Sequence, residues 1–339
     1  LAQRYGARGN KSDLFVILNT PISTPMKPLH FLLGLLLVVS VSASAKAKPD
    51  TVKVGAYIIS IHDIDFHDKQ YTARFWLWFV YKNPRLNFAQ QIDIPNAKDI
   101  EISSESLDTV NGVYWAQMRV KCTMKENWRV HDFPFDEQHL KIVLEDEALD
   151  IGDLVFVADT AESRFDNVEA LSGWKVDSFK VSTGVAHYNS SFGNPEVGNL
   201  KQNFSKFTIE MDIDRKAVGL FLKIFLGMYF AFMIALVSFL SDTNELEPRF
   251  GLPVGGLFAA VGNKYIIDSL LPESSQFSLV DILHSLTFLG IFCILTVSAI
   301  ALKLHNNNKI DLAHRINKIG AVITIVGYIL ANIYYIINA

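Results

Sequence analysis

The chain has 339 residues, 50% of them hydrophobic, with 24 phenylalanines and a formal net charge of −4. So apolar a composition points to membrane segments, and the near-neutral charge argues against a nucleic-acid partner. The two cysteines, Cys122 and Cys293, fall in a strand-like segment and an apolar helix-like run, so no disulfide is expected between them.

In chain order, Met26-Lys27 precedes an apolar run at residues 31–45 that closes with Ala43-Ser44-Ala45. A basic start, a short apolar stretch and small residues at its end predict a secretory signal peptide over residues 26–45, cleaved after Ala45. An uncleaved anchor is the alternative, but the run is short for a span. Residues 1–25 hold no methionine and are expected to be an upstream, non-native segment. The domain over residues 46–215 is then exported.

Residues 71–81 alternate. Tyr71, Ala73, Phe75, Leu77, Phe79 and Tyr81 share one face, and Thr72, Arg74, Trp76, Trp78 and Val80 the other. Aromatics on both faces predict a strand in contact on both sides. Residues 205–214 alternate as cleanly, with Phe207, Ile209, Met211 and Ile213 against Thr208, Glu210, Asp212 and Asp214. Further strands are predicted at 52–62, 113–125, 139–145 and 174–182, separated by turn signals such as Asn83-Pro84 and Asn111-Gly112. Many short strands at regular spacing predict an all-β, immunoglobulin-like sandwich of roughly 165 residues.

The composition changes at Arg215-Lys216, and apolar segments follow at 217–240, 250–271, 279–304 and 319–337. At about 1.5 Å per residue the first is long enough to cross a hydrocarbon core of about 30 Å. The polar link from the third segment to the fourth, with Lys303 at its edge, carries Lys309, Arg315 and Lys318. The positive-inside rule makes it cytoplasmic, and four spans then put the β domain outside, in agreement with the signal peptide. Lys223, inside the first span, needs a carbonyl, acid or water partner. Pro253, inside the second, predicts a kink.

Between two predicted strands lies Phe133-Pro134-Phe135-Asp136-Glu137-Gln138. Proline stiffens the turn and holds its predecessor extended, leaving two rings to bury and a carboxylate to place. By itself this reads equally as an ordinary strand connection. With the signal peptide, the strand-rich domain and the four spans, the chain resembles the pentameric ligand-gated ion channels, the Cys-loop receptor family, in their bacterial form. The six residues are similar to that family's FPFDxQ loop. The flanking loop cysteines of animal members would fall at Glu126 and Leu140 and are absent. Trp76, Tyr81 and Asn83-Pro84-Arg85-Leu86 resemble the family's W…WxDxRL strand, with Tyr81 for the second Trp and Asn83 for the Asp.

The resemblance implies a homopentamer in which each second helix lines a pore and small-molecule agonists bind between neighbouring sandwiches. It puts Glu247 at the cytoplasmic mouth, where a ring of carboxylates would favour permeant cations. A helical period of three to four then gives a pore face of Gly251, Gly255, Phe258, Gly262 and Tyr265, with Phe258 as a hydrophobic gate. The other reading is a small-residue stripe of Gly251, Gly255 and Ala259 for helix packing, with Glu247 a solvated loop acid.

For the agonist site the resemblance implies Trp76 on the complementary face. Tyr188 and Phe192 lie in a capping excursion at 183–203, Trp115 on the pocket wall, and Glu145 where animal members carry a tryptophan. A carboxylate among rings suits a cationic amine. Packing is the competing role for each ring, and a plain surface acid for Glu145. Coupling to the helices falls to Asp65, Asp68, Phe133, Pro134, Phe135, Asp136, Arg215 and Pro272, with Arg215 the expected partner of Asp136. The alternative for residues 62–68 is a divalent-ion site.

The expected function is therefore a ligand-gated, cation-selective channel of the inner membrane, in contact with lipid. A non-conducting receptor or scaffold on the same fold is the alternative, favoured by the glycine-rich second helix. No nucleophile elbow, P-loop or zinc spacing suggests an enzyme, and no cofactor or metal is expected.

Overall fold

The computed structural model describes residues 48–165, 171, 173–193, 202–274 and 276–339. The expected signal peptide and the segment before it lie outside these residues.

Among the described residues, ten strands form two sheets. In the first, the order is β4 (Ala97–Val110), β5 (Val113–Lys125), β2 (Gln70–Tyr81), β1 (Asp50–Asp65) and β7 (Leu154–Ala158), and the short β8 (Arg164–Phe165) also pairs with β1. The second runs β3 (Ile92–Asp93), β6 (Glu137–Asp146), β10 (Gln202–Arg215) and β9 (Trp174–Tyr188). The alternation expected for β2 is realised: Tyr71, Ala73, Phe75, Leu77, Phe79 and Tyr81 are buried, whereas Trp76 and Trp78 are half-buried on the outer face. Leu140, Ile142 and Leu144 of β6 and Phe207, Ile209, Met211 and Ile213 of β10 join the same core. The Tyr71 hydroxyl ties the sheets by donating to the Lys141 carbonyl at 3.2 Å.

Several boundaries differ from the expected ones. β9 continues to Tyr188 and β10 begins at Gln202, so the excursion at 183–203 is largely a long hairpin, with residues 194–201 outside the described set. Polar β4 was not expected: its side chains are almost all exposed at a sheet edge, where charges discourage edge-to-edge pairing and hide the hydrophobic alternation that marks a strand.

Four helices follow, α1 (Ala217–Val237), α2 (Leu246–Asp268), α3 (Leu279–Asn306) and α4 (Ile310–Ile337), each long and apolar enough to cross a membrane. α2 starts four residues before the expected span. Glu247 thus lies in its first helical turn rather than in a loop, where a carboxylate complements the helix macrodipole. The expected 305–318 link is mostly helical, and only residues 307–309 separate α3 from α4. Leu312, Ala313, Ile316 and Ile319 recur at helical spacing, and Ala313 is fully buried. α2 continues as one helix through Pro253.

α2 packs through Arg249, Pro253, Gly256, Ala260 and Ile267. At Gly256 an added Cβ would lie 2.6 Å from the Ala231 carbonyl oxygen of α1, so only glycine permits this approach. Gly251, Gly255 and Gly262 have nothing within 4 Å of a Cβ. Within one chain, therefore, the close-packing stripe is Gly256 and Ala260 rather than Gly251, Gly255 and Ala259. The face holding Gly251, Gly255, Phe258, Gly262 and Tyr265 points away from the other three helices, with Phe258 72% and Tyr265 77% exposed.

Candidate functional site

At one end of the second sheet, β3, β6, β9 and β10 frame a pocket of about 490 Å³ lined by Asp93, Glu145, Tyr188, Phe192 and Phe204, among others. Glu145 stands opposite Asp93 on β3 and Lys206 on β10, and only 6% of it is exposed. The Tyr188 hydroxyl donates to its Oε2 at 2.8 Å. Burial pushes the Glu145 carboxyl up, the Tyr188 hydrogen bond opposes this, and the neighbouring Asp93 charge adds to it. The same burial, with the Glu145 charge, pushes the Tyr188 phenol up to about 12. Tyr188, Phe192 and Phe204 form a ring cluster with centroids 5.5 to 6.4 Å apart. Asp146 adds a carboxylate, raised by burial and held by the Ala148 and Leu149 N–H groups. The pocket thus brings carboxyl groups and aromatic rings around one space, the two side-chain classes that can hold a cation.

Three expected ligand residues, Glu145, Tyr188 and Phe192, thus meet in one pocket. Trp76 and Trp115 do not join them within the chain: both lie on the outer face of the first sheet. The Arg119 guanidinium sits 4.4 Å from the centre of the Trp76 ring, so a cation of the chain itself already occupies one face of that ring.

The second arrangement is the junction between sheets and helices. The loop between β5 and β6 turns through Phe133 and Pro134, joined by a cis peptide bond. Asp136 is buried and paired bidentately with Arg215, Nε to Oδ1 at 2.6 Å and an Nη to Oδ2 at 3.0 Å. The planar guanidinium is built for such a fork, and it also stacks on rings. Here it lies 4.0 Å from the Trp174 ring centre, 4.6 Å from Phe66 and 5.0 Å from Phe133. Gln138 completes the loop: its side-chain amide donates to Asp136 and to the Arg129 carbonyl, and its oxygen accepts from the Arg129 N–H. These bonds close the loop that has no cysteines at Glu126 and Leu140.

The junction reaches the helices in three places. Phe135 packs on Phe221 of α1 with centroids 5.5 Å apart. The His131 carbonyl accepts the Leu279 N–H at the start of α3, at 2.8 Å. Val130 lines a cavity with the α2–α3 linker, including buried Pro272. Asp65 and Asp68 serve the neighbouring turn. The Asp65 carboxylate accepts the Asp68 N–H, its carbonyl accepts the Trp128 indole N–H at 2.7 Å, and the Asp68 carboxylate meets His67. Among the described residues no three His, Cys, Asp or Glu side chains converge to hold a metal.

Sequence reasoning missed Phe66 and Trp174 as walls around Arg215, because they come from distant turns that only the fold unites. It also missed Arg249, which lies one residue outside the expected second span. Arg249 is fully buried, donating to the Ser241 carbonyl at 3.1 Å and to Asn317 of α4 at 2.5 Å. Asn317 in turn donates to the Phe239 carbonyl. His284 is the comparable tie at mid-bundle, joined to Asn263 of α2, whose amide donates to the Ile224 carbonyl of α1. Lys223 is exposed on α1.

No protein-family description and no curated protein matches this chain.

Proposed function

We propose that the protein is a ligand-gated ion channel. A small cationic amine binds at the Glu145–Tyr188–Phe192 pocket, and an assembly of identical copies, a homopentamer, encloses a cation-selective path along the exposed face of α2. The observation that carries this reading is the junction: a loop of the β domain is fixed to the end of β10, just before α1, by the Asp136–Arg215 pair in its aromatic box, and touches α1 itself through Phe135 on Phe221. A pocket on one side of that junction and four spans on the other are the parts of a sensor joined to a membrane device. The β domain is then an immunoglobulin-like sandwich outside the inner membrane, and Glu247 stands at the cytoplasmic end of the path.

Ligand binding shifts such a device only by its different affinity for two states. The pocket supplies that difference if closure of the β9–β10 hairpin brings Phe192, 63% exposed here, over a bound ammonium. The reading of a non-conducting receptor draws on the α2 face itself, where exposed Phe258 and Tyr265 rings alternate with glycines.

The test is electrophysiology of purified protein in planar bilayers with a series of primary amines. Cation current that needs an amine, and that loses selectivity in Glu247→Gln, is the expected result. Absence of current under every amine and pH refutes conduction. A native mass of one copy refutes the assembly.

A further inference from the structure

Lys223 is the only charged residue inside α1 and lies on the exposed surface of the helix. Six residues past Ala217, its Cα sits about 9 Å inside the span. Lys216, at the N-cap of α1, donates its backbone N–H to the Gly173 carbonyl at 2.8 Å, but neither its ammonium nor that of Lys223 has a hydrogen-bond or ion-pair partner among the described residues. The two lysines are seven residues apart, so they share one helix face. Between them Gly219 is exposed, with nothing within 4 Å of the place a Cβ would take. An intramembrane ammonium facing outward requires an anion or water. Helical side chains tilt toward the N-terminus, and a lysine stem extends its charge toward the nearer interface. For Lys223 both tendencies carry the ammonium toward Lys216, with the uncovered helix backbone at Gly219 between the two charges.

We propose that this face of α1 binds the phosphate of an anionic glycerophospholipid from the leaflet next to the β domain. The phosphate sits between the Lys216 and Lys223 ammonium groups against Gly219. An acyl chain continues along Leu226, Phe230 and Ile234, which follow on the same face and are 47–52% exposed. Two cations and a continuous apolar strip match a headgroup and a chain together, which a free phosphate does not need.

The test uses the full-length protein, equilibrated in vesicles of phosphatidylcholine and phosphatidylglycerol, then examined by native mass spectrometry for retained lipid. Wild type is expected to retain phosphatidylglycerol in preference to phosphatidylcholine, and excess inorganic phosphate to leave it in place. Lys223→Met should lower retention roughly fivefold, Lys216→Gln should lower it less, and Lys223→Arg should preserve it. Lys223→Met makes the span more apolar, so loss of lipid cannot be put down to failed insertion. Equal phosphatidylglycerol retention in Lys223→Met overturns the site, as does displacement by inorganic phosphate. So does a reduced assembly mass with lipid retention unchanged, which would place the ammonium against a neighbouring copy. None of these outcomes depends on whether the assembly conducts.

Discussion

Asp136→Asn is the most informative single change, because it keeps the side chain's shape and removes only its charge. In the native junction the Asp136 side chain is 2% exposed and that of Arg215 11%, so neither ion can turn to water when its partner is lost. Removing one member of a buried pair typically costs about 3–5 kcal/mol. The asparagine oxygen can still accept one Arg215 N–H, which sets the expectation near the lower end, about 3 kcal/mol. For a chain of this size that corresponds to a fall in Tm of roughly 6–12 °C, extrapolating from about 2–4 °C per kcal/mol. The assay is thermal unfolding of detergent-solubilised protein for Asp136→Asn, Arg215→Leu and the double variant. Either single change strands a buried group, whereas the double change removes both ions. The double variant should therefore be at least about 2 kcal/mol more stable than the sum of the singles predicts. Effects that add to within about 0.5 kcal/mol would refute the claim that this pair locks the junction. Arg215→Lys should fall between wild type and Arg215→Leu, since lysine keeps charge but neither the fork nor the stacking on Trp174. In current recordings Asp136→Asn should impair opening more than amine binding, and equal loss of both would assign the pair to folding alone.

Two further predictions follow from α2 and from the outer face of the second sheet. Gly256→Ala should destabilise by roughly 1–3 kcal/mol, because the new methyl meets a backbone carbonyl of α1. The adjacent Gly255→Ala has open space and should be neutral or stabilising by up to about 1 kcal/mol; similar melting shifts for the two would contradict the observed packing. On the sheet face, β9 bulges between its pairings Val176–Ile213 and Ser178–Asp212, and the extra residue, Asp177, shares a hydrogen bond with Asp214. That bond holds the Asp177 carboxyl below its ordinary value and raises Asp214 to about 6. A raised carboxyl pKa favours the protonated fold, so this contribution is full below about pH 4 and is lost as pH rises through about 6. Asp177 contributes with the opposite sign, its share being lost as pH falls below about 4. Asp214→Asn should flatten the decline of Tm between about pH 4 and 6, and an unchanged profile would show that the pair does not share a proton.

Period-two patterning placed the core strands because their inward residues are large and apolar: β5 begins and ends where expected, and β2 differs by one residue. It failed for β4, where an exposed edge strand has no apolar face to display. It cut β9 and β10 short, because turn-forming residues outnumber apolar ones near the hairpin although the strand pairing persists. Helix ends differ from the expected ones at Glu247, Arg249 and residues 310–318, where charge reads as loop: Glu247, Asp311, Arg315 and Lys318 stay exposed on helices whose other faces pack, and only Arg249 is buried. Glu145, Tyr188 and Phe192 were expected together only through the family resemblance, since Glu145 and Tyr188 lie 43 residues apart and no local pattern joins them. The box around Arg215 was not, because no local pattern links residues 66, 133 and 174.

One strand carries both arrangements. Phe204 lines the pocket near the start of β10, and Arg215, held by Asp136, is its last residue. At about 3.3 Å per residue, the eleven steps between them span roughly 36 Å. Along residues 206–214 the pairing with β6 runs without a slip, so this stretch behaves as a strut rather than a chain of hinges. A displacement at Phe204 directed along the strand would reach Arg215 through this continuously paired stretch, whereas a sideways one would meet β6 and β9 on either side. The one break in its pairing is the β9 bulge at Asp177, which lies against the last residues of the strut, at the end nearer the helices.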